Sequence, residues 1–346
     1  MKNALVLMTA LVPTTGHADL LRFAASLPQT DVFALISGRS FEPTSARDRA
    51  SSLAQNLADY DNITFSVSNE DHAPQYPDVA PNQFWDWWVK EVNTNFPYLN
   101  GRWDYVVASE EYGQPMADAL GAQFIPYDIN RELNPVQGTE VRVNLEKNWN
   151  DIIPEFRKNL QVSAVFFGQE SVGKTTISKM VADRLNGVWY PEYARPYLEQ
   201  VGAELSEQKM LNITAGQAAM QKISRKASPS PFVCLDTDLF STVGYYEIWK
   251  HDVPKELVTL ALDNKSDVYY VLPDDVPFEK DILRYGGDKR ESTTEFWHSL
   301  LWRYVGASVR VPKGTAEEKA SWIAADIRTR FYQKNRKIPA FRREQG

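Results

Sequence analysis

Residues 168–176 read Gly-Gln-Glu-Ser-Val-Gly-Lys-Thr-Thr, which is the glycine, lysine and hydroxyl spacing of a phosphate-binding loop. Such a loop turns its backbone N–H groups towards phosphate oxygens, assisted by the positive end of the following helix. Lys174 would reach the β- and γ-phosphates of ATP, and Thr175 would hold Mg²⁺ through its hydroxyl. A chance match has odds of roughly one in a hundred on average composition. The predicted loop residues are Gly168, Ser171, Gly173, Thr175 and Thr176.

Two aspartates, Asp236 and Asp238, follow an apolar run at residues 232–235. Phosphoryl transfer needs one carboxylate to bind Mg²⁺ and one to accept a proton from the attacking hydroxyl. Aspartates at strand-to-helix turns also commonly cap the next helix, which is the structural alternative. We predict that both act in catalysis. Asp236 is assigned to the metal together with Thr175, and the reverse assignment of the two aspartates stays open.

Phosphoryl transfer also needs mobile positive charge near the nucleotide. Arg284 and Arg290 flank a Gly-Gly pair at residues 286–287, which is the arrangement of a closing lid. We predict that both arginines contact ATP. An exposed loop without a role in binding is the alternative.

A second candidate site lies near the N-terminus, where residues 14–17 read Thr-Thr-Gly-His. Gly16 at a helix start allows close approach of a phosphate, and the imidazole of His17 can donate to its oxygen. A histidine at such a position is more often a cap, so the pattern alone is weak. Thr139 and Arg142 lie one helical turn apart, so both can face the same triphosphate.

The elements that must position these residues alternate between short apolar runs and longer helical patterns, which predicts an α/β fold. With 346 residues the chain exceeds one usual domain, so we predict two domains with mainly parallel sheets and sites at the strand C-termini. Predicted strands are residues 4–8, 32–36, 63–67, 105–108, 123–125, 162–167, 232–235 and 268–271. Predicted helices in the first half are residues 17–26, 46–56 and 83–95.

The charge and residue composition of the chain limit the kinds of partner that it can bind. A formal net charge of -7 argues against a nucleic-acid-binding surface, which needs a basic face. The single cysteine, Cys234, cannot form an internal disulfide, and the 4 histidines show no metal-ligand spacing. No stretch approaches the about 20 apolar residues of a membrane-spanning helix. We expect a cytoplasmic protein with small-molecule substrates and no nucleic-acid or membrane partner; its oligomeric state stays open, with a homo-oligomer as one alternative.

The N-terminal motifs resemble the paired motifs of the nucleotidyltransferase superfamily, (His/Thr)-x-Gly-His and Ile-Ser-x-Thr-x-x-Arg. Joined to a phosphate loop, they are similar to the bifunctional nicotinamide-mononucleotide adenylyltransferase / ribosylnicotinamide kinase family. Residues 148–157 (Asn-Trp-Asn-Asp-Ile-Ile-Pro-Glu-Phe-Arg) resemble its Tyr-Trp-x-x-Ile-Pro-x-x-x-Arg connector. Residues 191–195 resemble its Trp-Glu-Tyr-Gly-Arg, and residues 235–239 its Ile-Asp-Thr-Asp-Phe. The lid pattern also matches, and the similarity runs in order along the chain.

The resemblance implies a Rossmann-like nucleotidyltransferase fold for residues 1–148, a connector at 149–160, a P-loop kinase fold at 161–335 and a basic tail at 336–346. The kinase would phosphorylate nicotinamide riboside to NMN with ATP and Mg²⁺, and the first domain would join NMN to AMP, giving NAD and pyrophosphate. The family's regulatory members carry an N-terminal helix-turn-helix domain, for which we expect no room here.

The resemblance also implies roles for individual residues. His17 and Arg142 would stabilise charge, Thr14 and Thr139 would donate to phosphates, and Gly16 would permit approach. The residues expected to contact the nicotinamide substrates are Asn82, Trp85, Trp87, Glu192 and Arg195. Helix core is the alternative for at least half of the tryptophans between residues 84 and 88. For Arg47 and Arg49, solvated surface is favoured over a phosphate contact.

The sequence departs from the family pattern at several positions, and two alternatives to a bifunctional enzyme therefore stay open. Thr14 replaces the first histidine, Pro13 lies one place later than usual, and Gln137 and Glu140 replace a serine and a basic residue. One alternative is therefore a ribosylnicotinamide kinase with a decayed first domain. The other is a nucleotide-sensing regulator that binds ATP and NAD without turnover.

Overall fold

The computed structural model of the protein describes residues 1–74, 78–202, 204, 206–226, 228–249, 251–277 and 292–338. The chain divides into two compact units, Met1–Asn159 with the end of the chain from Asn335, and Leu160–Lys334. Each unit has a parallel sheet with helices in the connections, so the predicted α/β class is confirmed. None of the helices in the described ranges is long and apolar enough to cross a membrane.

The first unit is built on a parallel sheet with the strand order β3-β2-β1-β4-β5. Its strands are β1 (Lys2–Met8), β2 (Thr30–Gly38), β3 (Ile63–Asn69), β4 (Tyr105–Ala108) and β5 (Gln123–Pro126). Its helices are α1 (Thr15–Ala25), α2 (Ala46–Asn56), α3 (Pro81–Asn95), α4 (Gly113–Leu120), α5 (Gly138–Val143) and α6 (Pro154–Arg157).

The core of this unit explains why these segments form a sheet with α3 packed against it. β1 is paired on both sides, and its residues from Ala4 onward are buried, as expected for a central parallel strand. Leu5 and Phe33 of the sheet form one apolar cluster with Trp88 and Val92, which lie one turn apart on α3. This cluster supports the sheet from one face, and the loops at its carboxyl edge, where the parallel strands end, can form a site.

Residues 149–157, expected to be part of a connector, lie within the first unit instead. Ile152 forms an isolated antiparallel bridge with Thr14, and the Ile153 N–H donates to the Pro13 carbonyl at 3.1 Å. Trp149 is buried, with 3% of its surface exposed. The buried side chains and the backbone hydrogen bonds of this segment therefore contact the first unit.

The second unit contains a parallel sheet with the strand order β10-β9-β6-β8-β7. Its strands are β6 (Val162–Phe167), β7 (Val188–Tyr190), β8 (Phe232–Leu235), β9 (Val268–Val271) and β10 (Val309–Arg310). Its helices are α7 (Lys174–Leu185), α8 (Ala194–Val201), α9 (Glu207–Arg225), α10 (Leu239–Ile248), α11 (Lys255–Asp263), α12 (Thr294–Val305) and α13 (Ala316–Asn335). The central strand β6 is buried throughout, so the loop that follows it starts from a rigid support.

Arg49 of α2 is fully buried, although the sequence favours solvated surface for it. Its guanidinium donates to the carbonyl oxygens of Thr9 at 2.6 Å and Ser37 at 3.3 Å, and pairs with the Glu42 carboxylate at 2.5 Å. The two carbonyls lie at the ends of β1 and β2, so this side chain holds the carboxyl edge of the sheet together. Arg47, on the same helix, is exposed as expected.

Replacing Arg49 by Met should lower the free energy of unfolding of the first unit by about 3 to 5 kcal/mol, because Glu42 would stay buried without its partner. The matched control is Arg47→Met on the exposed side of α2, which should change it by less than about 0.5 kcal/mol. Urea denaturation measures both changes. The double variant Arg49→Met/Glu42→Gln should regain part of the loss, and no regain at all would contradict an ion-pair origin.

Candidate functional site

The first unit has a cavity of about 790 Å³ at the carboxyl edge of its sheet. Thr9, Glu70, Ser109 and Tyr127, which directly follow β1, β3, β4 and β5, all line it. This is the edge at which parallel α/β sheets bind their ligands. The predicted site residues that line the cavity are Thr14, Gly16, His17, Trp85, Thr139 and Arg142.

His17 lies in the first turn of α1, and Thr14 fixes the orientation of its ring. The Thr14 N–H donates to Nδ1 of His17 at 3.1 Å, and Thr14 Oγ1 lies 2.7 Å from the same nitrogen. Because Nδ1 accepts from the backbone it carries no proton, so the neutral ring bears its proton on Nε2. The imidazole can therefore donate to a ligand from Nε2, while the Thr14 hydroxyl is engaged with His17.

The second predicted motif is brought next to His17 by α5. Arg142 Nη2 donates to Thr139 Oγ1 at 3.0 Å, so these side chains share one face of the helix. Gly138 begins α5, and a Cβ there would lie 3.3 Å from Cε1 of His17 and 3.4 Å from Nη1 of Arg142. A glycine at this position thus permits the close approach of the neutral His17 ring and the Arg142 guanidinium.

The positive charge in this cavity is carried by arginines rather than by the histidine, and Glu70, Glu110 and Asp128 also line it. Burial, and then the positive charges of Arg142 and Arg131, lower the pKa of His17 to about 4. The imidazole is therefore neutral at neutral pH. Arg131 also lines the cavity but was not among the sequence predictions. The available signal was a basic residue between β5 and α5, which belongs to neither of the two N-terminal motifs.

The loop between β5 and α5 is organised by its own side chains. The Asp128 carboxylate accepts the N–H groups of Glu132, Leu133 and Asn134 at 2.7, 3.0 and 2.8 Å, which holds the pKa of Asp128 below its usual value. Asn134 Nδ2 donates to the Asp19 carboxylate of α1 at 2.6 Å. The loop carrying Arg131 is thereby fixed to the helix that carries His17.

The aromatic side of the cavity comes from one face of α3. Phe84, Trp85 and Trp88 line the cavity, whereas Asn82 and Trp87 do not. Asn82 is exposed in the first helical turn, and the Trp87 ring packs edge-on against Trp88 at 4.9 Å. Helical rotation explains the difference, because Trp85 and Trp88 are three residues apart on one face and Trp87 lies on another.

The second unit has a cavity of about 550 Å³ at the carboxyl edge of its own sheet. The predicted residues that line it are Ser171, Gly173, Lys174, Thr175, Thr176, Glu192, Arg195 and Asp238. Gly168, at the end of β6, has a φ of 143°, and a Cβ there would lie 2.9 Å from Val172 Cγ2. Only glycine fits both the backbone conformation and the space. Lys174 begins α7, and its Nζ donates to the carbonyls of Gly168 at 3.0 Å and Gln169 at 2.8 Å.

Thr175 and Asp236 meet at the start of α7. Thr175 Oγ1 donates to Asp236 Oδ2 at 2.6 Å, and burial raises the pKa of Asp236 against the opposing effects of this hydrogen bond and Lys174. Mg²⁺ prefers such oxygen ligands and keeps several waters and phosphate oxygens, so two protein ligands fit it. In the part of the chain that the structure describes, no group of three or more His, Cys, Asp or Glu side chains could hold a metal ion.

Asp238 has the capping role that the sequence offered as an alternative, and it also lines the cavity. Its carboxylate accepts the Phe240 N–H at 2.9 Å at the start of α10. Burial raises the pKa of Asp238 to about 7. A carboxyl with this pKa can accept or release a proton near neutral pH. The two aspartates therefore differ, because Asp236 contacts the loop hydroxyl and Asp238 does not.

Gln217 of α9 connects two further loops of the second cavity, the one that contains Tyr193 and the one that contains Thr237. None of the motifs indicated a role for Gln217. Its Oε1 accepts the Tyr193 N–H at 2.9 Å, and its Nε2 donates to the Thr237 carbonyl at 3.1 Å. The first loop contains Glu192 and leads into α8, where Arg195 lies, and the second contains the two aspartates. The predicted lid residues Arg284 and Arg290 lie outside the described residues.

The two units define a two-domain α/β protein whose second unit has a P-loop-type fold. A family model described as an AAA domain matches residues 163–319, which include the phosphate loop and both aspartates. The matched segment lies within the second unit. The fold class expected for this half of the chain is thus confirmed.

The chain is similar to the trifunctional NAD biosynthesis/regulator protein NadR of Escherichia coli, with 25% identity over 304 residues, 80% of this chain and 71% of that protein. It is 24% identical to NadR of Salmonella typhimurium over 294 residues, 78% of this chain and 68% of that protein. A crystal structure of NadR with NAD and AMP-PNP has a TM-score of 0.66 and 22% identity, covering 96% of this chain and 97% of that one. A NadR complex with NR has a TM-score of 0.65 and 20% identity, covering 95% and 96%. The likeness to these structures establishes the shared fold.

The imidazole of His17 should titrate with a pKa of about 4 in the folded protein, measured by NMR of the ring. Arg142→Met should raise that pKa, since the guanidinium lowers it, yet leave it below 6.5 because burial is the larger cause. The unfolded chain takes up this proton near pH 6.5, so His17 makes the free energy of unfolding decrease as the pH falls from there towards 4. A pKa near 6.5 in the unmodified protein would contradict a buried neutral ring.

Proposed function

We propose that the chain is a bifunctional enzyme of NAD salvage. Its second unit phosphorylates the 5′-hydroxyl of nicotinamide riboside with ATP, and its first unit transfers the adenylyl group of ATP to the resulting NMN. The observation that carries the proposal is that each unit has its own cavity with groups suited to phosphates, His17 and Arg142 in one and Lys174 in the other. The likeness to NadR proteins, which are named for NAD biosynthesis and include complexes with NAD, AMP-PNP and NR, supports these substrates.

In the second unit, the riboside hydroxyl attacks the γ-phosphorus of ATP, the bond to the β–γ bridging oxygen breaks, and ADP leaves. Asp238 accepts the hydroxyl proton, for which its pKa of about 7 is suited. Lys174 exchanges its loop carbonyls for phosphate oxygens and stabilises the transferring group. Thr175 and Asp236 would hold Mg²⁺, which supplies charge neutralisation at the β- and γ-phosphates.

Aromatic side chains support a pyridine nucleoside as the acceptor in the second unit. Tyr245 and Trp249 stack with their ring centroids 5.3 Å apart, and both line the cavity. A pyridinium ring is a flat cation, and the faces of Tyr and Trp attract such a group. Glu192 and Arg195, held by the Gln217 loop contacts, complete the polar part of this acceptor site. Arg284 and Arg290 are assigned to the lid.

In the first unit, an NMN phosphate oxygen attacks the α-phosphorus of ATP, the bond to the bridging oxygen breaks, and pyrophosphate leaves. The nucleophile is already anionic, so the residues align the reactants and neutralise charge without acting as a base. His17 Nε2, Arg142 and Arg131 carry this role, with Thr139 as a further donor. Trp85 lines the same cavity and would stack on the nicotinamide ring. Glu140 is exposed and does not line the cavity, so its departure from the family pattern leaves these groups unchanged.

The decisive experiment is to incubate the protein with nicotinamide riboside, ATP and Mg²⁺ and to identify the products. We expect NAD, pyrophosphate and ADP. Accumulation of NMN without NAD would mean that the first unit is inactive, and no turnover would favour a nucleotide sensor. Supplying NMN directly separates failure of the first unit from failure of the second.

Lys174→Ala should lower riboside phosphorylation by at least about a hundredfold, because it removes the charge that stabilises the transferring phosphoryl group. Conversion of supplied NMN to NAD should persist, since Lys174 lies in the second cavity. The control Lys255→Ala, at an exposed position in α11, should retain both activities. Loss of both activities in folded Lys174→Ala would argue against two separate sites.

His17→Ala should lower kcat for adenylyl transfer by about a hundredfold, the scale for losing one preorganised donor. The KM for NMN should change much less, because the contact strengthens mainly in the transition state. Phosphorylation should continue, so NMN would accumulate from riboside. His72→Ala, an exposed histidine of the same unit, is the matched control. An unaltered rate in folded His17→Ala would remove His17 from the site.

A further inference from the structure

We propose that Arg157 is a positioning residue for adenylyl transfer, which fixes residues 150–153 against the segment that contains Thr14 and leads into the first turn of α1, where His17 lies. This inference rests on the proposed function of the first unit. Arg157 lies outside the cavity lining, so it would act through other residues and not on the substrate. The residues that connect it to His17 are all within the first unit.

The first link is between Arg157 and the turn that precedes α6. Arg157 Nε donates to the Ile152 carbonyl at 3.0 Å, and Nη2 donates to the Asn150 carbonyl at 3.2 Å. The residue is buried, with 9% of its surface exposed. A planar guanidinium that contacts two carbonyls fixes both the distance and the angle between them, which the ammonium of a lysine cannot do.

The second link joins this turn to the first phosphate motif. Ile152 pairs with Thr14 in an isolated antiparallel bridge, and the Ile153 N–H donates to the Pro13 carbonyl at 3.1 Å. Ile152 and Ile153 are buried, with 0% and 1% of their surfaces exposed. Among the described residues no strand of the sheet pairs with residues 13 and 14, so the Thr14 backbone is held by this short contact and by the Ala18 N–H of α1, which donates to the Thr14 carbonyl at 3.2 Å.

The third link is the hydrogen bond from the Thr14 N–H to Nδ1 of His17. Any shift of the Thr14 backbone would therefore rotate the imidazole and its Nε2 proton. The same segment also reaches the second motif, because Asn148 Nδ2 donates to the Glu140 carbonyl of α5 at 3.0 Å. Residues 148–157 thus contact the backbone of both motifs, and a displacement of about 1 Å at a reacting group can cost about a hundredfold in rate.

The test compares Arg157→Met and Arg157→Lys with Asn62→Ala in the full-length protein. Asn62 is the matched control, because its side chain also donates to two carbonyls, those of Ala25 and Thr30 at 2.9 Å each, but at the opposite edge of the sheet. We expect kcat for NMN adenylylation to fall about a hundredfold in Arg157→Met and about tenfold in Arg157→Lys, with KM changed less than about threefold. Asn62→Ala should keep kcat within about twofold at a comparable loss of stability.

The second readout is the pair of ring ¹⁵N chemical shifts of His17. The two signals are assigned by their absence from the spectrum of His17→Gln. The unmodified protein should show the tautomer with its proton on Nε2, and the Arg157 variants should show a mixture of tautomers. Asn62→Ala should match the unmodified protein. Equal kcat losses in Arg157→Met and Asn62→Ala, or unchanged ring shifts in folded Arg157→Met, would overturn the proposal.

The proposal stays testable if the unmodified protein is inactive and also if the Arg157 variants do not fold. If the unmodified protein does not adenylylate NMN, the proposed function fails, and the ring shifts still decide whether Arg157 orients His17. If neither Arg157 variant folds, amide hydrogen exchange of the unmodified protein tests whether the contacts between residues 150–153 and residues 13–14 are formed. The Thr14 and Ile153 N–H groups should then exchange at least about a hundredfold more slowly than unprotected amides, and fast exchange would overturn the proposal.

Discussion

Both candidate sites lie where parallel strands end, and there the strand-to-helix loops have backbone groups that no neighbouring strand can pair. Buried polar groups without partners cost free energy, so such loops need donors and acceptors from side chains. Arg49 and Asp128 supply them in the first unit, and Gln217 does so in the second. These hydrogen bonds hold loops that line the two cavities.

Burial favours the neutral form of the titratable groups in both units, which lowers the pKa of a base and raises the pKa of an acid. In the first, the pKa of His17 is lowered by burial and by neighbouring guanidinium groups, so the ring stays a neutral donor across the physiological range. In the second, burial raises the pKa values of Asp238, which lines the cavity, and of Asp236, which is not among the lining residues, although Lys174 opposes the shift at Asp236. The first arrangement suits alignment of groups that are already anionic, and the second suits a reaction in which a hydroxyl must lose a proton.

Much of the fold could be predicted from the sequence, because buried parallel strands are continuous apolar runs. The strands predicted at residues 105–108, 162–167, 232–235 and 268–271 have the same bounds in the structure. β7 and β10 were missed, since edge strands of three and two residues carry no usable periodicity. The motif residues of both sites could be predicted because short spacing brings them together on one loop or one helix turn.

The supporting residues could not be predicted in the same way, since their partners are distant in sequence. A buried arginine such as Arg49 has the same local pattern as the exposed Arg47, and only the fold brings Glu42 and two strand ends around it. Gln217 shows the same limit, because its two partners lie in loops on either side of α9 in the chain. Asn82 and Trp87 do not line the cavity, and the sequence could not indicate this because the orientation of α3 about its axis depends on tertiary packing.

The contacts of Lys174 bear on which anions the phosphate loop can hold. Its ammonium already donates to two carbonyls of the loop, so an arriving anion must exchange for these bonds instead of meeting an unengaged cation. A small monoanion offers little more than the two carbonyls it displaces and would also lose its own hydration. A polyphosphate supplies several charged oxygens at once and reaches the loop amides as well. The contacts of Lys174 with the Gly168 and Gln169 carbonyls therefore favour an anion with several charged oxygens over a small monoanion.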